Sequence, residues 1–83
     1  MIKVFTASNA VRDIMLRTYE TERREDIKTL FETYYNHSKT FDDSSMVAVW
    51  VSKRKSTDIS PGDIFEKDGS LYIVRKNLEL GVI

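Results

Sequence analysis

The sequence predicts a single small α+β domain of order β-α-β-β-β with a further edge strand at its end, in which a long or bent helix packs on one face of a mostly antiparallel sheet. Three observations carry this expectation. Apolar residues recur with helical spacing between residues 9 and 36, they alternate with period two near both ends of the chain, and Asp68-Gly69 separates two alternating runs. Successive strands joined by tight turns pair antiparallel, and an amphipathic helix buries its apolar stripe on the face they offer.

The first element, "MIKVFT" at residues 1–6, sets Ile2 and Val4 against Lys3 and Phe5, as a strand does. Ser8 or Asn9 then supplies an N-cap, a side-chain oxygen for an unpaired backbone N–H. Val11, Ile14, Met15 and Tyr19 form one helical stripe, and Ile27, Leu30, Phe31 and Tyr34 form another. At ~100° per residue the two stripes lie roughly 130° apart, with Leu16 alone of the first half pointing toward the second. Between them "TYETERREDIK", residues 18–28, contains neither Gly nor Pro. One continuous or gently bent helix that rotates its apolar face is therefore the expectation, and two helices over 9–21 and 24–36 are the alternative. The i,i+4 charges do not decide between them, since Glu20–Arg24 attracts and Glu22–Asp26 repels. A continuous helix of about 26 residues is ~39 Å long, whereas a domain of this length is about 30 Å wide. One apolar patch would then be left for a second subunit or a partner.

Asn36, His37 and Ser38 read as the helix terminus, residues 39–45 as a loop, and "MVAVWV" at 46–51 as an interior strand with both faces apolar. Pro61-Gly62 suits the centre of a type II turn. A type I′ turn at Asp68-Gly69 pairs Lys67 with Ser70, Glu66 with Leu71, Phe65 with Tyr72 and Ile64 with Ile73. Phe65, Tyr72 and Val74 then share one face, while Ile64, Leu71, Ile73 and Glu66 share the other. Leu78, Leu80 and Val82 suggest the last edge strand. The sheet face away from the helix is richer in aromatic and aliphatic side chains than solvent favours, so cover from outside the chain is expected.

Composition narrows the function. The 83 residues include no cysteine, which removes disulfides, thiolate nucleophiles and cysteine-based zinc sites. Thirteen basic and thirteen acidic side chains cancel, which argues against bulk polyanion binding. No apolar run approaches the ~20 residues of a membrane span, so a cytoplasmic protein with no membrane contact is expected. His37, the single histidine, belongs to a helix end where a positive charge is favoured, and Ser38 beside it has no orienting partner. Asp42, Asp43, Asp58, Asp63 and Glu66 fit turns and solvated positions. "PGDIFEK" at 61–67 has the composition of a metal site, but Asp63 and Glu66 have opposite strand parity. No catalytic residue, metal site, cofactor or enzymatic activity is expected.

Binding is the remaining class. A regulatory or inhibitory protein that binds another protein, and associates with itself as a homo-oligomer, is the leading expectation, with Tyr19, Arg23, Arg24, Tyr34 and Tyr35 as interface residues. Adjacent Tyr34 and Tyr35 lie ~100° apart on a helix, so one of them faces outward. Small, cysteine-free chains of this kind are common among accessory proteins of phages and mobile elements, an association of size alone. The alternative is a nucleic-acid-binding regulator. Lys53, Arg54 and Lys55 after Trp50, and Arg75 and Lys76 after Tyr72, form one basic rim if their strands are neighbours, with Arg12, Arg17, Arg23 and Arg24 adding charge from the helix.

Overall fold

A computed structural model describes residues 1–41, 59–77 and 79–83. The expected strand at 46–51 with Trp50, the acidic Asp42, Asp43 and Asp58, the basic Lys53, Arg54 and Lys55, and Leu78 lie outside the described residues. Among the described residues, five strands form one antiparallel sheet: β1 (Ile2–Thr6), β2 (Asn36–Phe41), β3 (Ile64–Lys67), β4 (Ser70–Val74) and β5 (Leu80–Val82), in spatial order β2-β1-β3-β4-β5. Two helices, α1 (Asn9–Glu20) and α2 (Arg24–Tyr34), follow β1. The expected α+β class, with helix on one face of an antiparallel sheet, is the architecture observed. Among the described residues, no helix is long and apolar enough to cross a membrane.

Local chemistry accounts for the hairpin and the turn before it. Asp68 and Gly69 both have positive φ, +51° and +80°, as a type I′ turn requires. The register is the expected one, with Ile64 opposite Ile73 and Phe65 opposite Tyr72. Gly62 has φ +95°, and the Asp63 N–H donates to the Ser60 carbonyl at 3.0 Å, which closes the Pro61-Gly62 turn as type II. Ser8 caps α1, its Oγ accepting from the Val11 N–H at 3.3 Å.

The helical region is broken, not continuous. Glu22 is left-handed, with φ +58°, and the N–H groups of Thr21 and Glu22 close the end of α1 on Arg17 and Tyr19 carbonyls. Thr18 and Thr21 hydroxyls also donate to the Ile14 and Thr18 carbonyls, an alternative to helix propagation. On the far side, Glu25 and Asp26 occupy the first turn of α2, where the helix dipole favours acidic groups, and Asp26 pairs with Arg23 Nε at 2.9 Å. The break folds both stripes onto one core with Met15, Leu16, Ile27, Ile64 and Ile73. It also suits the domain's size: the longest extent is 29 Å and the radius of gyration 11.6 Å. Most of both stripes is spent on this core, Ile14 and Tyr34 being the exposed members, so the argument for self-association from a whole unused stripe falls.

Two further expectations are corrected. Asn36, His37 and Ser38 do not end a helix, and residues 39–41 are not loop: all belong to β2, which pairs with β1 from Thr6–Asn36 to Ile2–Phe41 with an irregularity between Val4 and Phe5. Pairing β1 on its second side outweighs the weak apolar pattern of this polar stretch. The sheet face away from the helices is also buried within the single chain. Ile2, Val4, Phe65 and Val74 are at most 2% exposed there, packed with Ile59 and flanked by Phe41 and Tyr72. Nothing outside the chain is needed to cover them.

The left-handed Glu22 yields a test whose sign depends on the break. Glu22→Gly relieves a conformation that costs an L-residue about 1 kcal/mol or more, so it should stabilise the fold by about 1 kcal/mol. In an unbroken helix the same change would destabilise by a similar amount. Urea unfolding midpoints of the two proteins decide the matter.

Candidate functional site

Among the described residues, two gatherings of polar side chains stand out, and they differ in kind. The first is internal. Asp63 is fully buried, and each of its carboxylate oxygens has a donor. Thr6 Oγ1 donates to Oδ1 at 2.7 Å, the Ser60 N–H donates to Oδ2 at 2.8 Å, and Arg12 Nη1 stands 3.5 Å from Oδ1. Arg12 also donates to Thr6 Oγ1 at 3.0 Å and to Asn9 Oδ1. Chain positions explain the convergence: Thr6 ends β1, Arg12 lies in the first turns of α1, and Ser60 opens the Pro61-Gly62 turn.

Tyr35 completes this cluster. Helix α2 stops at Tyr34, and Tyr35 takes an extended conformation, φ −92° and ψ 142°. That change of direction sends its ring inward, beside Phe31 at a centroid distance of 5.8 Å, and its hydroxyl donates to the buried Gly62 carbonyl. Burial pushes the phenol well above the ordinary tyrosine range; the Asp63 charge raises it further and Arg12 partly offsets the rise. Every polar group here is turned toward another part of the chain. The cluster clamps separate parts of the chain together.

The second place is a surface groove of 690 Å³ between α2 and the hairpin end of the sheet. Helix α2 crosses the sheet obliquely. At its start Arg24 Nη1 donates to the Val82 carbonyl of β5 at 3.3 Å, and further on Phe31 meets Phe5 of β1 edge-to-face at 5.0 Å. This course leaves the hairpin-end row of the helix-side face uncovered. Phe31, Leu71 and Ile83 make an apolar floor, and they belong to the edge of the helix-side core. Arg24 and Lys28 rim the end toward β5, while Glu32 and Glu66 rim the rest.

The expected interface residues do not form one patch. Tyr19 and Arg24 come together, with the Arg24 guanidinium 5.7 Å from the Tyr19 ring centroid, and Tyr19 lies against Gly81 so closely that a Cβ there would be 2.5 Å from its hydroxyl. Arg23 is exposed and paired with Asp26 on the other flank of α2. Tyr34 is 53% exposed and is the outward member of its pair. Tyr35 is a core residue, which overturns its place at an interface. Of the five, Arg24 alone lines the groove. Arg75 and Lys76 are exposed in the connection from β4 to β5, while the rest of the expected basic rim lies outside the described residues.

His37 is exposed on β2, where Nε2 is hydrogen-bonded with Thr40 Oγ1 at 2.9 Å and the ring stands edge-on to Phe5. Asp63 and Glu66 are brought to different places, one into the clamp and the other to the groove. Lys28, Glu32 and Ile83 escaped sequence reasoning, which considers Glu66 only as a metal ligand and a turn or solvated residue. The spacing of Arg24, Lys28, Phe31 and Glu32 does mark one flank of a helix, but which flank faces an open row of sheet depends on how α2 crosses it. No family model, curated protein sequence or solved structure matches this chain.

The clamp carries two expected outcomes. Asp63→Ala strands the Ser60 N–H, Thr6 hydroxyl and Arg12 guanidinium, and should cost about 2–3 kcal/mol of unfolding free energy in urea titrations. For Tyr35 the sign follows from linkage. The folded protein keeps the phenolic proton at a pH where the unfolded chain has released it. Stability from this group is thus complete below the unfolded pKa of about 10 and falls as pH rises above it. Tyr35→Phe should lose about 1 kcal/mol at neutral pH, for its missing hydrogen bond. It should also flatten the alkaline loss of stability, read as unfolding midpoints across an alkaline pH series.

Proposed function

We propose that this protein acts by binding another protein through the groove between α2 and the hairpin end of the sheet, in a regulatory or inhibitory role that occludes a site on its target. The observation that carries this reading is the groove's composition: an apolar floor of Phe31, Leu71 and Ile83 rimmed by charges of both signs. Protein interfaces are built in this way, with a desolvated centre that supplies affinity and a polar rim that sets orientation. Arg24 is held by Tyr19 and the Val82 carbonyl, so it loses less side-chain freedom on contact than a free arginine would. The clamp supports the same reading from the other side, because its carboxylate, guanidinium and phenol are occupied in holding the fold.

Nucleic-acid binding is the second reading, resting on the exposed Arg75 and Lys76 together with Lys53, Arg54 and Lys55. Capture of partners from lysate of the source cells or their host, with and without nuclease, separates the two. The groove reading expects a stoichiometric protein that survives nuclease and is lost at least about tenfold with Ile83→Asp, which puts a charge on the floor. A partner held equally well by that variant would move the contact off the groove. Recovery that depends on intact nucleic acid would replace the reading with the basic rim.

A further inference from the structure

We infer that a second copy of this chain fits the groove, packing its α2 antiparallel against the first across a two-fold axis near the middle of the helix. This deepens the binding reading above and rests on it. The charges on the groove side of α2 carry the inference. Arg24 and Lys28 stand in its first half and Glu32 in its last turn. The sheet adds one charge in the same sense: Arg24 meets Val82 at the β5 end, and Glu66 lies on β3, nearer the Phe31 end. A surface that is basic at one end and acidic at the other is complementary to itself when turned through a half-rotation, which is the requirement of an isologous contact. Antiparallel pairing sets Lys28 of one copy against Glu32 of the other, twice per dimer.

The same charges do little for the isolated helix. Basic groups near the start of a helix and acidic groups near its end oppose the macrodipole, and lysine four residues before glutamate is the weaker order for an intrahelical pair. No ion pair joins Lys28 to Glu32, whereas Arg12 does pair with Asp63 and Arg23 with Asp26. The acidic Glu25 and Asp26, which do suit the dipole, lie off the groove. The groove side of α2 is therefore charged in the pattern that an antiparallel copy rewards. A target protein that uses the same floor competes with the second copy for it.

Sedimentation equilibrium of the purified full chain, from low to high micromolar concentration and at low and high salt, tests this. The wild type should dimerise, more weakly as salt rises. Lys28→Glu and Glu32→Lys, both at exposed positions, should each weaken the dimer at least about tenfold, because each sets like charges together. Circular dichroism checks that both variants keep the fold. An equimolar mixture of the two should recover a heterodimer, since the two glutamates of one variant then face the two lysines of the other. A wild type that stays monomeric throughout, single variants that dimerise like the wild type, or a mixture that stays monomeric each overturns the second copy. Such a monomer that still captures a target protein in an Ile83-dependent way leaves the binding reading standing. A dimer with the expected charge dependence and no captured target has the reverse meaning.

Discussion

A carboxylate buried as fully as Asp63 has to meet a donor at each oxygen, and three separated parts of the chain come together to provide them. The end of β1, the start of α1 and the turn before β3 are thereby brought to one point. The backbone follows the side chains. The Gly62 N–H donates to the Val74 carbonyl and the Val74 N–H to the Asp63 carbonyl, which joins the turn to the end of β4. Gly62 lies so near α1 that a Cβ would stand 2.6 Å from the Cβ of Arg12, so its lack of a side chain serves the close approach as well as the positive φ. Tyr35 reaches the same turn from the end of α2. One buried charge thus anchors both helices and three strands at one end of the sheet.

The opposite end is left comparatively open. With the start of α1 held over the clamp and the chain reversed at Glu22, α2 returns across the sheet from β5 to β1. Two helices of 12 and 11 residues cover the clamp end and the middle of the sheet's helix-side face. Leu71 and Ile83 are left as the margin of the core. The groove is therefore a consequence of where the helices are pinned, and its charged rim is the flank of α2 that faces this margin. Structural polarity at one end and half-buried apolar surface at the other divide the molecule into a holding end and an open end.

This division also explains why the candidate residues separated. Tyrosine and arginine are enriched at interfaces because they combine apolar area with directed hydrogen bonds, and the same properties suit a buried clamp. Arg12 and Tyr35 were taken by the clamp, Arg23 by Asp26, and Tyr19 by the close contact with Gly81. Residue type alone does not distinguish these uses. Geometry does, through whether the polar tip finds its partner inside the chain.

The sequence by itself determined the features that depend on neighbouring residues. Alternation gave β1 and the two faces of the hairpin, Asp68-Gly69 gave its register, Pro61-Gly62 the type II turn, and Ser8 the cap of α1. Each follows from φ/ψ preference or period within a few residues. Tertiary structure decided the break at Glu22, where a left-handed residue is tolerated because both stripes can then reach one core. It decided that the polar stretch Asn36–Phe41 is a strand, because β1 offers it an unpaired side. It also chose Tyr35 over Tyr34 for the interior and made Asp63 a clamp, where turn chemistry alone accounts for no more than a solvated aspartate. Most of the groove rim and floor belongs to this second group. Such choices turn on burial and pairing between residues far apart in the chain, and those free energies exist only once the remote surfaces are in contact.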